Sequence, residues 1–97
     1  MSVSLAVIIR FSGDPDDLLE GFERARQMWI EVQADDYERP VFYAACRTDE
    51  GIAVVNVWED AQAHRAFGQG MHAWIDVVGM TPPDQIERMR VAKLGWN

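Results

Sequence analysis

GIAVVNVWEDAQAHRAF, residues 51–67, is the stretch around which the rest of the chain is organised. Residues 52–58 form a near-continuous apolar run that is rich in β-branched residues and follows a turn at residues 49–51. Such a run predicts a strand that is buried on both faces. Asp60 then stands where a helix N-cap belongs, and apolar residues follow it at helical spacing. The stretch therefore predicts a central strand that leads directly into a helix.

The length and composition predict a single domain over residues 1–97. Hydrophobic residues make up 48% of the chain, four of them Trp. No internal repeat, linker or low-complexity tract interrupts them. A chain of this size buries roughly 60–65% of its unfolded surface, so it can fold alone with a thin margin of stability.

The charge and the cysteine count restrict the partners and the compartment. A net charge of −7, with no run among the nine Lys and Arg residues, argues against nucleic acid and against an anionic membrane surface. No apolar stretch is long enough to span a bilayer, and residues 1–11 lack the basic leading region of a signal peptide. The lone Cys46 forms no intrachain disulfide, which fits a cytoplasmic protein.

A strand and a helix are predicted before the central segment. Residues 2–11 are apolar on both faces, as residues 52–58 are, so both strands are expected in the interior of the sheet. Asp14 is a predicted N-cap and Pro15 the first residue of a helix that ends near residues 35–36. Its apolar residues recur at steps of three and four, as one stripe expected to face inward: Leu18, Phe22, Ala25, Trp29 and Val32.

The remaining elements are two edge strands and a second helix. Residues 41–48 follow Pro40, which suits an edge strand, and a hairpin loop at residues 48–51 joins them to the central strand. A helix over residues 61–78 and a charged edge strand over residues 85–94 complete the chain. Within that helix the expected inner stripe comprises Ala63, Phe67, Met71, Trp74 or Ile75, and Val78. Gly68 and Gly70 weaken the same helix, and they predict a close backbone contact or a bend.

The predicted order of elements is strand, helix, strand, strand, helix, strand. Right-handed crossovers place the first and third strands in the centre of an antiparallel sheet, with both helices on one face. We therefore predict an α+β, ferredoxin-like βαββαβ fold with a four-stranded antiparallel sheet.

The second face of this sheet has no helix packed on it. Ala6 and Ile8, and Val55 and Val57, or the residues that alternate with them, point away from the helices. Such an apolar patch is rarely left wet on a monomer. We expect a two-fold homodimer that packs sheet to sheet; the alternative is a twisted sheet with a merely apolar surface.

Two segments carry a resemblance to a known family: FSGDPDDLLEGF at residues 11–22 and RTDEGIAVVNVWEDAQAHRAF at residues 47–67. They resemble the dimeric α+β barrel proteins and, more narrowly, the small proteins grouped with antibiotic-biosynthesis monooxygenases. The match is strongest at residues 57–60 and 63–67, a strand end and a helix start. The resemblance implies a dimeric barrel. The family includes cofactor-independent oxygenases of polyketide-type quinols, haem-degrading enzymes and members without assigned activity.

The haem-degrading branch of that family is not expected here. Its members use an Asn on the first strand, a Trp on the second helix and a His further along as iron ligand. Val7, Phe67 and Asp76 occupy those positions, although His72 lies one helical turn before Asp76.

Asn56 and His64 are the candidate catalytic residues. Asn56 is the one polar side chain in the central strand; it either contacts a substrate oxygen or, the interpretation we favour, bonds to neighbouring backbone or across a dimer interface. His64 lies beside the inner stripe of the second helix, one turn before Phe67. It either faces a cleft and moves a proton there, or is a half-exposed helix residue.

Aromatic residues are the candidate ligand-binding walls. Trp and Tyr at helical and strand spacing are more often core, but this many large rings can also line an apolar pocket. The candidates are Tyr43, Trp58, Phe67, Trp74 and Trp29.

The remaining polar residues predict no metal site and no cofactor. His72 and Asp76 are four apart on a helix and are expected as an exposed pair, because no further His or Cys completes a ligand set. Cys46 has no adjacent His or Lys and is expected as a small buried hydrophobe.

Two functions remain open. The first is a small protein that binds an apolar or aromatic ligand, or none, between helices and sheet. The alternative is a cofactor-independent monooxygenase of an aromatic, polyketide-like quinol. For this alternative we expect Asn56 and Tyr43 to orient the ligand. Trp58 and Trp74 would form walls of the pocket, and His64 would carry the proton. The fold does not decide between them.

Overall fold

The computed structural model describes residues 5–33, 40–59 and 61–93, which form four strands and two helices in the predicted order. The elements are β1 (Leu5–Ser12), α1 (Pro15–Gln33), β2 (Phe42–Arg47), β3 (Gly51–Trp58), α2 (Ala61–Val77) and β4 (Gln85–Arg90). The last strand ends at Arg90, where residue 94 was predicted. No helix within these ranges is long and apolar enough to cross a membrane.

The sheet has the order β2-β3-β1-β4, and every neighbouring pair is antiparallel. Both strands that are apolar on two faces, β1 and β3, are therefore central, as predicted. Tyr43, Asn56, Val7 and Arg88 form one row across the four strands. Paired residues share a face of the sheet, so this row fixes which side chains point towards the helices. The α+β, ferredoxin-like fold is confirmed.

Both helices have identifiable end signals. Asp14 Oδ1 accepts hydrogen bonds from the backbone N–H groups of Asp16 (2.9 Å) and Asp17 (3.2 Å), which confirms the N-cap of α1. At the end of α2, Gly79 has a φ of +82°, and its N–H donates to the carbonyl of Asp76 at 3.1 Å. The Met80 N–H reaches the Ile75 carbonyl at 3.0 Å, which completes a Schellman motif. The predicted cap Asp60 and the predicted helix end at residues 35–36 lie outside the described residues.

The core lies between the two helices and one face of the sheet. On α2 the predicted stripe is buried at Ala63, Phe67, Met71 and Ile75, while Trp74 and Val78 are half-buried. On α1 the stripe is buried at Leu18, Phe22, Ala25 and Trp29. The prediction was wrong for Val32, which is 62% exposed one residue before the end of α1. Val32 lies on the last turn described for α1, where its side chain is not packed against the core.

The sheet face opposite the helices is mainly apolar, with Arg10, Gln85 and Glu87 towards one end. Register places Ala6, Ile8, Val55 and Val57 there, one of the two sets that the sequence left open. On the flanking strands the same face carries Phe42 and Met89, which are 51% and 41% exposed; the name "open face" is used below for these six residues.

Cys46 also lies on this side of the sheet and is exposed. Its prediction as a buried small hydrophobe was wrong, because edge strand β2 leaves the side chain accessible.

Candidate functional site

A cleft of about 740 Å³ lies between α2 and the β1–β4 half of the sheet. Its volume falls within the usual range for small-molecule sites, ~300–1,000 Å³. The walls are mainly apolar and include Ile9, Phe11, Phe67, Met71, Ile75 and Ile86. Polar groups enter from α2 and β4: His64, Arg65, Gln69, His72 and Arg88.

Gly68 helps to keep the cleft open. It lines the cleft from the middle of α2, and a β carbon built on it meets no atom within 4 Å. The prediction of a close backbone contact at this glycine was therefore wrong. On the opposite wall, Ile86 of edge strand β4 is 42% exposed, because neither helix covers that strand fully. A missing side chain and an uncovered edge strand together make the space.

His64 is the most unusual polar residue of the cleft. It is only 7% exposed, and within the described residues its Nδ1 atom is buried without a hydrogen-bond partner. Leaving such an atom unpaired costs about 1–3 kcal/mol, so a polar atom of this kind at a cleft wall points to a ligand contact. Its ring stands 5.7 Å from that of Trp58.

The charge state of His64 follows from its surroundings. Burial lowers its pKa below the ordinary value near 6.5, and the positive charge of Arg88 lowers it further. The imidazole is therefore neutral at pH 7. A neutral imidazole has one nitrogen that donates a hydrogen bond and one that accepts, so it can take a proton from a ligand or bond to one.

Asn56 is engaged inside β3. The side chain is 2% exposed, and its Oδ1 atom accepts a hydrogen bond from Nε1 of Trp58. The sequence interpretation favoured a bond to neighbouring backbone or across a dimer interface; the partner in the structure is the indole N–H of Trp58. Asn56 lies below the helix layer, beside Val7 and Tyr43 in the sheet register, and the cleft is lined by other residues.

The candidate aromatic walls are divided among three places. Phe67 lines the cleft. Trp29 and Trp58 lie in the core, with ring centroids 5.3 Å and 5.0 Å from that of Phe67. Tyr43 packs against α1, where its hydroxyl donates to Glu23 at 3.3 Å and the Arg26 guanidinium lies 4.8 Å above its ring.

Trp74 is half-buried at the edge of the core. Of the seven predicted site residues, the cleft therefore brings together His64 and Phe67.

Sequence reasoning missed the two arginines of the cleft. Arg65 follows His64 directly, and Arg88 stands two residues after Ile86 on the helix-facing side of β4. The available signal was the period-two alternation of β4, which gives Ile86 and Arg88 the same face.

His72 and Asp76 are both exposed, but within the described ranges no ion pair joins them. His72 instead borders the cleft. Across residues 5–33, 40–59 and 61–93, no three His, Cys, Asp or Glu side chains cluster in a way that could hold a metal ion.

Comparison with known proteins supports the fold. The sequence matches no protein-family model and no curated protein. The structure is similar to the crystal structure of the NE2512 protein of unknown function from Nitrosomonas europaea, with a TM-score of 0.68 and 16% sequence identity. The match covers 98% of this chain and 95% of that chain. At this identity the likeness shows a shared small α+β fold.

Proposed function

We propose that this protein binds a small apolar or aromatic ligand in the cleft between α2 and the sheet. One observation carries the proposal: His64, whose buried Nδ1 atom has no hydrogen-bond partner among the described residues, lines a mainly apolar cleft of about 740 Å³. Binding sites typically combine such apolar walls with a few polar groups that fix the ligand's orientation. His64 and Phe67 are the proposed contacts on α2.

Blocking the cleft tests this proposal. The probe is N-phenyl-1-naphthylamine, a neutral aromatic amine whose emission rises in apolar sites. Gly68→Trp adds a large ring where there is open space. Ala66→Trp adds the same ring at an exposed position on the same helix that does not line the cleft. We expect the Gly68 variant to bind the probe at least about tenfold more weakly than wild type, and the Ala66 variant to bind within about twofold of it.

Equal probe affinity in wild type and both variants would show that the probe binds elsewhere, and would end the proposal. A probe that fails to bind wild type would end it as well. Circular dichroism of each variant confirms that the fold is retained.

We further propose that the chain forms a homodimer through its open face, as in the dimeric α+β barrels it resembles. Support comes from the exposure of Phe42 and Met89 beside Ala6, Ile8 and Val55 on one continuous apolar surface. Because a two-fold axis sets the same patch against itself, a self-complementary apolar face suits it. Native mass spectrometry should give a dimer for wild type and a monomer for Phe42→Glu; a monomeric wild type at micromolar concentration contradicts the proposal.

A second candidate function is that of a cofactor-independent monooxygenase of an aromatic, polyketide-like quinol. The specific observation in its favour is a neutral imidazole in the cleft wall, because oxidation of a quinol requires removal of its hydroxyl proton. Dioxygen is the oxidant in this scheme: one oxygen atom enters the substrate, and the other leaves as water with the two hydrogens that the substrate loses. Oxygen uptake with an anthrone-type substrate should fall at least about tenfold in His64→Ala. Uptake that is the same in both proteins, or absent, excludes this activity.

A further inference from the structure

We propose that the ligand of the cleft is an amphipathic anion: an apolar, aromatic-sized body with one carboxylate or similar acidic group, which is held by Arg88. This inference rests on the proposed binding function and specifies the class of ligand. It is carried by the charges and the shape of the cleft.

The cleft is a cationic site in an acidic protein. The sequence has 16 Asp and Glu residues against nine Lys and Arg, yet among the described residues Arg65 and Arg88 line the cleft and no Asp or Glu does. A neutral apolar ligand gains no electrostatic stabilisation from these two arginines. An anion is attracted by the two positive charges that line the cleft.

Three arginines outside the cleft have carboxylate partners, whereas the two cleft arginines, like Arg10 and Arg90, have none among the described residues. Arg24 lies 3.3 Å from Glu20, Arg26 lies 3.0 Å from Glu23, and Arg47 lies 2.6 Å from Asp16.

By contrast, no carboxylate in the described parts of the chain forms an ion pair or hydrogen bond with Arg65 or Arg88. A guanidinium presents a planar set of donors that fits a carboxylate with two parallel hydrogen bonds. Arg88 keeps that set available at the cleft.

The two arginines of the cleft lie towards the end where α2 begins, while Gln69 and His72 and apolar residues such as Leu5 and Phe67 are distributed along it. His64 and Arg65 occupy the first turn of α2, whereas Ile75 lies about 16 Å further along that helix, at 1.5 Å per residue. Across from them on β4, Arg88 pairs with Val7 and Ile86 pairs with Ile9. A ligand that packs its body against Ile75 and Ile86 therefore carries its polar group towards Arg88.

His64 supports the same orientation. Arg88 is close enough to His64 to act on it electrostatically: after burial, the positive charge of Arg88 is the second cause that lowers the pKa of this histidine. The positive potential of Arg88 disfavours protonation of His64, and the same potential favours an anion beside these two residues. An anionic oxygen at Arg88 is also a suitable acceptor for an Nδ1–H of neutral His64, whose Nδ1 has no partner among the described residues.

The test uses two probes with the same aromatic body. 1-Anilinonaphthalene-8-sulfonate carries a sulfonate, and N-phenyl-1-naphthylamine is the same molecule without it. The proteins are wild type, Arg88→Gln and the control Arg24→Gln, which removes the same charge from the exposed surface of α1. Fluorescence titration gives a Kd for each of the six combinations.

We expect Arg88→Gln to raise the Kd of the sulfonate probe about tenfold or more, because a hydrogen bond to a charged group is lost. The Kd of the neutral probe should stay within about twofold, and Arg24→Gln should change neither probe by more than that. Gly68→Trp should weaken both probes, which places them in the cleft.

The possible failures are distinguishable. If the neutral probe is lost in Gly68→Trp but Arg88→Gln leaves the sulfonate probe unchanged, the anion proposal is wrong and the binding function stands. If Arg88→Gln weakens both probes equally, Arg88 acts on the shape of the cleft, which also overturns the anion proposal. If Gly68→Trp weakens neither probe, both the proposed function and this inference fail.

Discussion

The space between helices and sheet has two halves that are packed very differently. On the β3 side, the ring centroids of Trp29 and Trp58 lie 5.3 Å and 5.0 Å from that of Phe67, and the three rings fill the layer. On the β1–β4 side, Gly68 and the exposed Ile86 leave a cleft of about 740 Å³. Phe67 belongs to both halves. The filled half thus gives the cleft one closely packed wall, and the comparison teaches that one half of the layer stabilises the fold while the neighbouring half leaves open space.

The largest expected effect is a loss of stability in the filled half. Trp58→Ala should lower the free energy of unfolding by about 3–5 kcal/mol, because it empties a fully buried site and removes the donor to Asn56. Ile86→Ala, in the cleft wall, should cost about 1 kcal/mol or less. Urea unfolding at one fixed protein concentration measures both. Since Trp58→Ala can unfold a small domain outright, Trp58→Phe is the milder companion, with an expected cost of about 1–3 kcal/mol. Similar costs for Trp58→Phe and Ile86→Ala would remove the contrast between the halves.

Two glycines give the next comparison. A β carbon on Gly51, at the start of β3, would stand 2.1 Å from the backbone oxygen of Phe11, whereas one on Gly68 meets nothing within 4 Å. Gly51→Ala should therefore destabilise the protein by about 1–3 kcal/mol, because the backbone must shift. Gly68→Ala should stabilise it by about 0.5–1 kcal/mol, through the better helix propensity of Ala. Thermal unfolding should give melting temperatures that shift in opposite directions for the two variants. A loss of stability in Gly68→Ala would contradict the open space beside Gly68.

The smallest expected effect is the pH dependence due to His64. Burial is the main cause that lowers the pKa of His64, and the positive charge of Arg88 on β4 lowers this pKa further. Because the unfolded chain binds a proton at His64 at higher pH than the folded protein does, stability should fall as pH drops below about 6.5. His64→Gln should lose less stability than wild type between about pH 7 and pH 5. His72→Gln, at an exposed position, is the control. Parallel pH profiles for His64→Gln and wild type contradict the assigned environment.

The fold was predictable because its signals are local. Apolar residues on both faces marked β1 and β3. The Asp14 carboxylate marked the start of α1, and Gly79 with the prolines after it marked the end of α2. These signals depend on neighbours in the chain, so they can be read from the sequence.

The candidate site was predictable only in part, because it depends on how α2 crosses the sheet. His64 and Phe67 were identified from their place beside the inner stripe of that helix. Trp29 and Trp58 looked equally suitable as cleft walls, but they fill the half of the layer that the helices cover. The sequence pattern of β4 marked an exposed edge strand, and the exposure of that edge is what brings Arg88 to the cleft.

The position of Cys46 has a practical consequence. It is the single thiol of the sequence, and it stands on the sheet surface turned away from the helices. A maleimide dye should thus attach at one defined point, on the side opposite the cleft. Its labelling rate reports directly whether that surface is accessible in solution, with no engineered residue required.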